Sequence, residues 1–195
     1  MVSAIVLAAG TSSRMHRPKQ LLEYAGKPML RHVLEILLST KVDEVVVVLG
    51  HEAGRISPVI AGMPVRVVLN QAYADGMSGS VRLGLAAAAR AGNSDTPRGV
   101  LFALADQPLV KPQTIDLLID AYCRQGGITA PCYNGQRGNP VIFNESFFPE
   151  IMELSGDAGA REIIRRHPGA VVLVDVEDRG VLLDIDTWTE YCELT

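Results

Sequence analysis

Short runs of apolar, often β-branched residues recur along the chain: Ser3–Ala8 (SAIVLA), Glu44–Leu49 (EVVVVL), Val65–Leu69 (VRVVL) and Gly99–Ala105 (GVLFALA). None alternates cleanly between apolar and polar. That pattern predicts strands buried on both faces, as in a parallel sheet. The segments between them keep a helical period. Met29–Ser39 places Leu30, Val33, Leu34, Leu37 and Leu38 on one stripe behind Pro28, and proline suits the first turn of a helix. Ser80–Ala91 is Ala-rich and broken only by Gly84, and Gln113–Tyr122 repeats the period after Pro112. Strand and helix in alternation, with short loops, predict an α/β domain with right-handed crossovers.

The second half is less regular. Ile128–Tyr133 and Pro140–Phe143 read as strands around an Asn134-Gly135 turn, a hairpin signal. A helix is expected over Asp157–Arg166, followed by strands at Val171–Val176 and Val181–Asp184. No linker or internal repeat divides residues 1–195. The expectation is one domain with a mostly parallel sheet and helices on both faces, its C-terminal portion forming a lobe on one side.

Composition narrows the function classes. The 195 residues are 48% hydrophobic, and 18 Lys+Arg against 22 Asp+Glu leave a net charge of -4. A general nucleic-acid binder carries a basic excess, so that class is set aside. The apolar start, Val2 to Gly10, has no basic region before it and breaks at once into polar residues, which excludes a signal peptide or membrane span from the expectations. Cys123, Cys132 and Cys192 are three and show no C-x-x-C spacing. A reducing, cytoplasmic setting follows as the expectation.

Three stretches carry candidate chemistry. Leu7-Ala-Ala-Gly-Thr-Ser-Ser-Arg-Met15, followed by Arg17-Pro-Lys-Gln-Leu-Leu22, is a small-residue loop leaving the first predicted strand. Open α/β sheets bind ligands at that end. Successive backbone N–H groups can cradle phosphates, with Arg14 and Lys19 adding positive charge. The loop is neither a Walker motif nor a G-x-G-x-x-G fingerprint, and an ordinary strand-to-helix turn is the alternative. His16 lies inside it; the other histidines show no ligand spacing. Asp106, in Ala103-Leu-Ala-Asp-Gln-Pro108, stands at the end of a buried strand, placed either to hold a hard cation or to close a turn. Asp184 and Asp186, two apart in Leu183-Asp-Ile-Asp-Thr187, share a side if extended. One of them can complete a metal site with Asp106 while the other caps the next helix. Weaker signals are Ser78 and Ser80 before a helix, Asn139 in Arg137-Gly-Asn-Pro140, and Asp157 and Arg161 in Gly156-Asp-Ala-Gly-Ala-Arg161.

Taken together, LAAGTSSRM-x-RPKQLL, ADQP, RGNP, GDAGAR and DIDT resemble the molybdenum cofactor cytidylyltransferase family, part of the nucleotidyltransferase superfamily, over nearly the whole chain. The resemblance implies a Rossmann-like nucleotidyltransferase fold. CTP would lie over the first loop at Leu7, Ala8, Ala9 and Gly10, with its phosphates near Arg14 and Lys19 and its base or ribose near Ser78 and Ser80. Molybdopterin's terminal phosphate would attack the α-phosphorus, giving molybdopterin cytosine dinucleotide and pyrophosphate. The implied catalytic residues are Arg14, Lys19 and Asp106, and the implied metal is Mg²⁺ on Asp106 and Asp186, with Asp184 as the fallback ligand. Residues 127–195 would form the acceptor side, through Asn139, Asp157 and Arg161. The LAAG form, against LAGG in guanylyl-transferring relatives, implies that Ala9 crowds a purine.

The product would serve a molybdenum hydroxylase, with transient contact to that enzyme or its maturation chaperone. Three rival readings remain: transfer to another phosphorylated acceptor such as a sugar or polyol phosphate, a carrier that delivers the pterin without catalysis, and a nucleotide-binding regulatory domain. Intact Arg14, Lys19, Asp106 and Asp186 argue against a mere carrier, which needs no site for a metal and triphosphate.

Overall fold

The computed structural model describes residues 1–15, 17–89 and 97–194. His16 and the end of the helix expected to reach Ala91 lie outside the described residues. Strands are β1 (Val2–Ala8), β2 (Glu23–Tyr24), β3 (Lys27–Pro28), β4 (Glu44–Leu49), β5 (Arg66–Leu69), β6 (Gly99–Leu104), β7 (Ile128–Tyr133), β8 (Gln136–Arg137), β9 (Val141–Asn144) and β10 (Val171–Asp175). Helices are α1 (Met29–Leu38), α2 (Ala53–Ile56), α3 (Met77–Ala89), α4 (Pro112–Gln125), α5 (Phe148–Met152), α6 (Arg161–Arg166) and α7 (Trp188–Cys192).

The main sheet runs β10-β7-β9-β6-β1-β4-β5, and β2 and β3 form a separate small ribbon. Pairing is parallel at β1–β4, β1–β6, β4–β5 and β7–β10, while β9 lies antiparallel between β6 and β7. The predicted mostly parallel α/β sheet is therefore present. The strands of residues 128–175 continue the same sheet.

Because side chains alternate across a strand, the buried runs feed two cores. Ala4, Val6 and Ala8 face Leu30, Val33, Leu34 and Leu37 of α1 and Ile115, Leu118 and Ile119 of α4. Ile5, Val46 and Val48 face Val81, Leu85 and Ala88 of α3, with Ile163 and Ile164 of α6. Each fully buried Leu or Ile contributes about 1.5–3 kcal/mol. Gly84, the apparent breaker in α3, lets that helix lie against β1: a Cβ there would collide with the Ile5 side chain.

Three expectations need correction. Asn134 and Gly135 both have left-handed backbone, with φ 50 and 78, and form the predicted turn. However, the strand they return is β8, and β9 follows it along the same side of β7. The helix expected from Asp157 begins only at Arg161, because Gly156 has φ 60 and Ala160 is the N-cap. Val181–Asp184 is not a strand. Residues 179–182 form a single 3-10 turn: the Val181 and Leu183 N–H groups donate back to the Asp178 and Gly180 carbonyls, and the Val181 carbonyl accepts from the Asn139 N–H.

Candidate active site

The chain leaves β1 for β4 and β5 on one side, then returns to β6 on the other, so the β1/β6 boundary is a topological switch point. Crevices at such points, beyond the carboxyl ends of the strands, are where open α/β sheets take ligands. Lys19 arrives there from the β1 side and Asp106 from the β6 side. Its Nζ donates to Asp106 Oδ2 at 3.0 Å and also to Asp186 Oδ1. Arg14 Nη1 reaches the other Asp186 oxygen at 2.5 Å.

Local bonds fix these positions. The Lys19 N–H donates to Ser12 Oγ at 3.1 Å, and Gln20 Nε2 to the Ala8 carbonyl at 2.9 Å, which closes the first loop into an arch. On the far side, the Ile185 N–H donates to the Asp106 carbonyl at 2.9 Å. Gln107 Nε2 donates to Asp184 Oδ1 at 2.6 Å. The helix after DIDT is capped by Thr187, through a capping box with Glu190, and not by either aspartate. Asp184 and Asp186 both line the crevice, so the period-two reading of their common side agrees with the structure.

The electrostatics follow from this packing. Burial disfavours the charged Lys19 ammonium, but Asp106 and Asp186 together outweigh it and hold its pKa above the ordinary lysine value. The hydrogen bond from Lys19 holds Asp186 below the ordinary carboxylate value, against a smaller effect of burial. Desolvation, then the Asp106 charge, push Asp184 up, and the Gln107 bond only partly offsets them.

Two cavities adjoin here. The first, about 360 Å³, is lined by Leu7, Ala9, Gly10, Arg14, Lys19, Asp106, Asp184 and Asp186, among others. The second, about 290 Å³, brings together Asn139, Asp157 and Arg161 with Arg137 over an apolar floor that includes Phe102 and Phe143. Leu7, Met77, Leu104 and Asp184 belong to both walls. Ala8 instead buries its side chain in the core beside α1.

Ser78 and Ser80 do not line either cavity. They are 2% and 5% exposed inside α3, which starts earlier than expected; Ser80 Oγ accepts from Asn70 Nδ2 at 2.9 Å. Residues the sequence reading passed over include Ser12, Gln20, Gln107, Met77 and Arg137. Gln107 had a signal in its place directly after Asp106, and Ser12 in a hydroxyl-rich loop. Met77 had none.

Carboxylate oxygens are hard donors, and Mg²⁺ typically takes one or two of them together with substrate phosphates. Asp106 and Asp186 converge on one ammonium, with a third carboxylate nearby whose ionisation is disfavoured, so the donor set fits a hard divalent cation. No cluster of three or more His, Cys, Asp or Glu able to hold a metal occurs among the described residues. The phosphates would have to complete the coordination. No helix among the described residues is long and apolar enough to cross a membrane.

Known proteins share this arrangement of fold and sequence. The nicotine blue oxidoreductase of Paenarthrobacter nicotinovorans is 34% identical, over 95% of this chain and 92% of that one. The purine catabolism protein PucB of Bacillus subtilis (strain 168) is 28% identical, over 96% and 92%. The crystal structure of Rv0371c from Mycobacterium tuberculosis H37Rv superposes with a TM-score of 0.85 at 31% identity, covering 99% of this chain and 96% of that one. The same protein has been solved in complex with manganese, and there the TM-score is 0.81 at 30% identity, over 99% and 97%. Residues 4–171 match the MobA-like NTP transferase domain, and the chain belongs to that family.

Proposed function

We propose that this chain transfers CMP from CTP to the terminal phosphate of molybdopterin, releasing pyrophosphate and molybdopterin cytosine dinucleotide. The observation that carries the reading is the pair of adjoining cavities, one built around Lys19, Asp106 and Asp186, the other around Asn139, Asp157 and Arg161. Two substrates held in neighbouring pockets with a shared wall can be brought into line, which removes much of the entropic barrier to their reaction.

The backbone of Ala9 and Gly10 and the charge of Arg14 receive the triphosphate. Lys19, kept protonated by its carboxylate neighbours, stabilises negative charge as it redistributes over the transferred phosphoryl group. The acceptor phosphate is already ionised, so no general base is required. Asp106 and Asp186 would hold Mg²⁺, which when bound screens the repulsion between the two anions. Asp184, in the wall common to both cavities, is the fallback ligand. The manganese complex of Rv0371c supports a divalent ion in this family without choosing between metals.

The 34% identity with nicotine blue oxidoreductase favours one second reading, a redox reaction on nicotine blue. The absence of a dinucleotide fingerprint weighs against it.

One experiment separates these readings. Pyrophosphate release is followed with molybdenum-loaded molybdopterin and CTP, GTP, ATP or UTP, with and without Mg²⁺. A parallel arm offers nicotine blue with NADH or NADPH and no nucleoside triphosphate. Mg²⁺-dependent release with CTP, and a cytosine dinucleotide product, is expected. Silence with all four nucleotides overturns the molybdopterin assignment, and turnover of the dye in its place establishes the redox reading.

A further inference from the structure

Asp178 is 3% exposed, yet its three bonds come from uncharged donors on two segments. Its Oδ2 accepts from the Lys111 N–H at 2.8 Å and from Thr114 Oγ1 at 2.7 Å. Its Oδ1 accepts from the Gly180 N–H at 3.0 Å. Lys111 is the N-cap of α4, and its own side chain makes no capping bond. A carboxylate from a segment 67 residues away supplies the cap instead. The exposed amides and dipole at the start of a helix favour that negative charge.

The anchored segment leads directly to the site. Gly180 packs so closely that a Cβ would collide with the Leu109 carbonyl. Gln107 Nε2 then lies 3.4 Å from the Val181 carbonyl and 2.6 Å from Asp184, and Ile185 N–H closes on the Asp106 carbonyl. Residues 178–186 are thus stitched along the loop that carries Asp106, with Asp178 as the outermost stitch. We infer that Asp178 is a positioning residue: by capping α4 from outside, it sets where Asp184 and Asp186 stand relative to Asp106. The role of those carboxylates rests on the nucleotidyl-transfer reading, whereas the anchor itself does not.

Two readouts independent of turnover test this. One is the affinity for Mn²⁺, followed by the electron paramagnetic resonance of the free ion. The other is the emission of Trp188, the one tryptophan of the chain. Its Nε1 donates to the Met15 carbonyl at 3.1 Å, so it reports docking of the C-terminal segment on the first loop. Asp178→Asn and Thr114→Val are expected to weaken Mn²⁺ binding about tenfold, the lower end for lost supporting bonds around a metal site. Both should shift Trp188 emission to the red, and Thr114→Ser, which keeps the hydroxyl, should restore both signals.

If both variants lower only the melting temperature, with Mn²⁺ affinity and emission unchanged, Asp178 is merely structural and the inference is overturned. The Thr114 pair decides the matter should Asp178→Asn fail to fold. Absence of Mn²⁺ binding by the unaltered protein would sink the metal reading of Asp106 and Asp186, and Trp188 emission would still judge the anchor.

Discussion

Lys19 Nζ lies 3.0 Å from Asp106 Oδ2, although 87 residues separate them in the chain. They meet because β1 and β6 are parallel neighbours, with Leu7 paired to Leu104. Lys19→Gln removes the cation between two carboxylates and the charge that faces the transferred phosphoryl group. Pyrophosphate release should fall by about 10²–10³-fold, the usual cost of removing one preorganised electrostatic donor. Steady-state kinetics on the folded variant, checked by circular dichroism, measures it.

Asp106→Asn removes charge at nearly constant volume and leaves Lys19 paired with Asp186. The fold should persist while Mg²⁺-dependent turnover disappears. Near-normal activity in this variant would show that the metal is held elsewhere.

Asp186, Lys19 and Asp184 give the stability a predictable pH profile. Asp186, held below its ordinary value of 3.8, contributes stability present above that value and lost as pH falls through its lowered pKa. Lys19, held above 10.5, contributes stability fully present below that value and lost as pH rises through its raised pKa. Asp184 has the opposite sign to Asp186. Its raised pKa means that the folded state takes up a proton more readily, so stability grows as pH falls through that pKa toward 3.8. Asp184→Asn should therefore raise the melting temperature at pH 7 without divalent ions, and remove the gain on acidification. Calorimetry from pH 3.5 to about 7 checks the sign.

Ala9 lines the first cavity and is 6% exposed. Ala9→Gly should relax discrimination against GTP, seen as a rise in the GTP/CTP ratio of kcat/KM. An unchanged ratio would move base selection to other residues of that cavity.

Arg161 lines the second cavity and not the first. Arg161→Gln should raise KM for molybdopterin about 10- to 100-fold, with KM for CTP unchanged, since a hydrogen bond to a charged group contributes about 1.5–3 kcal/mol. An equal effect on both substrates would place the acceptor elsewhere.

Much of this site was legible because the chemistry follows local rules. Gly10 lies in a small-residue loop leaving the first strand, and Asp106 ends an apolar run, as a residue at the mouth of a parallel strand does; both line the first cavity. Ser78 and Ser80 misled for an equally local reason. Serine near a helix start reads as a cap, but the helix starts at Met77 and buries both. The start of this Ala-rich helix is covered by Asn70, which binds Ser80, and by the Gly156 carbonyl, which accepts from the Ser78 N–H across 78 residues of chain.

The apolar runs alone specify the sheet and its two apolar faces, because a run buried on both sides can pack stably in few other ways. The Asn134-Gly135 turn is equally local, because both residues tolerate left-handed backbone, whereas the last helix is capped by Thr187 rather than by the aspartates that the sequence offered. The meeting of Lys19 with Asp106 and Asp186, the bonds of Gln107 to Asp184 and of Asp178 to the start of α4, and the lack of a strand at residues 181–184 arise from tertiary packing. Those outcomes depend on strand order and on hydrogen bonds between segments far apart in the chain, and no local pattern encodes them.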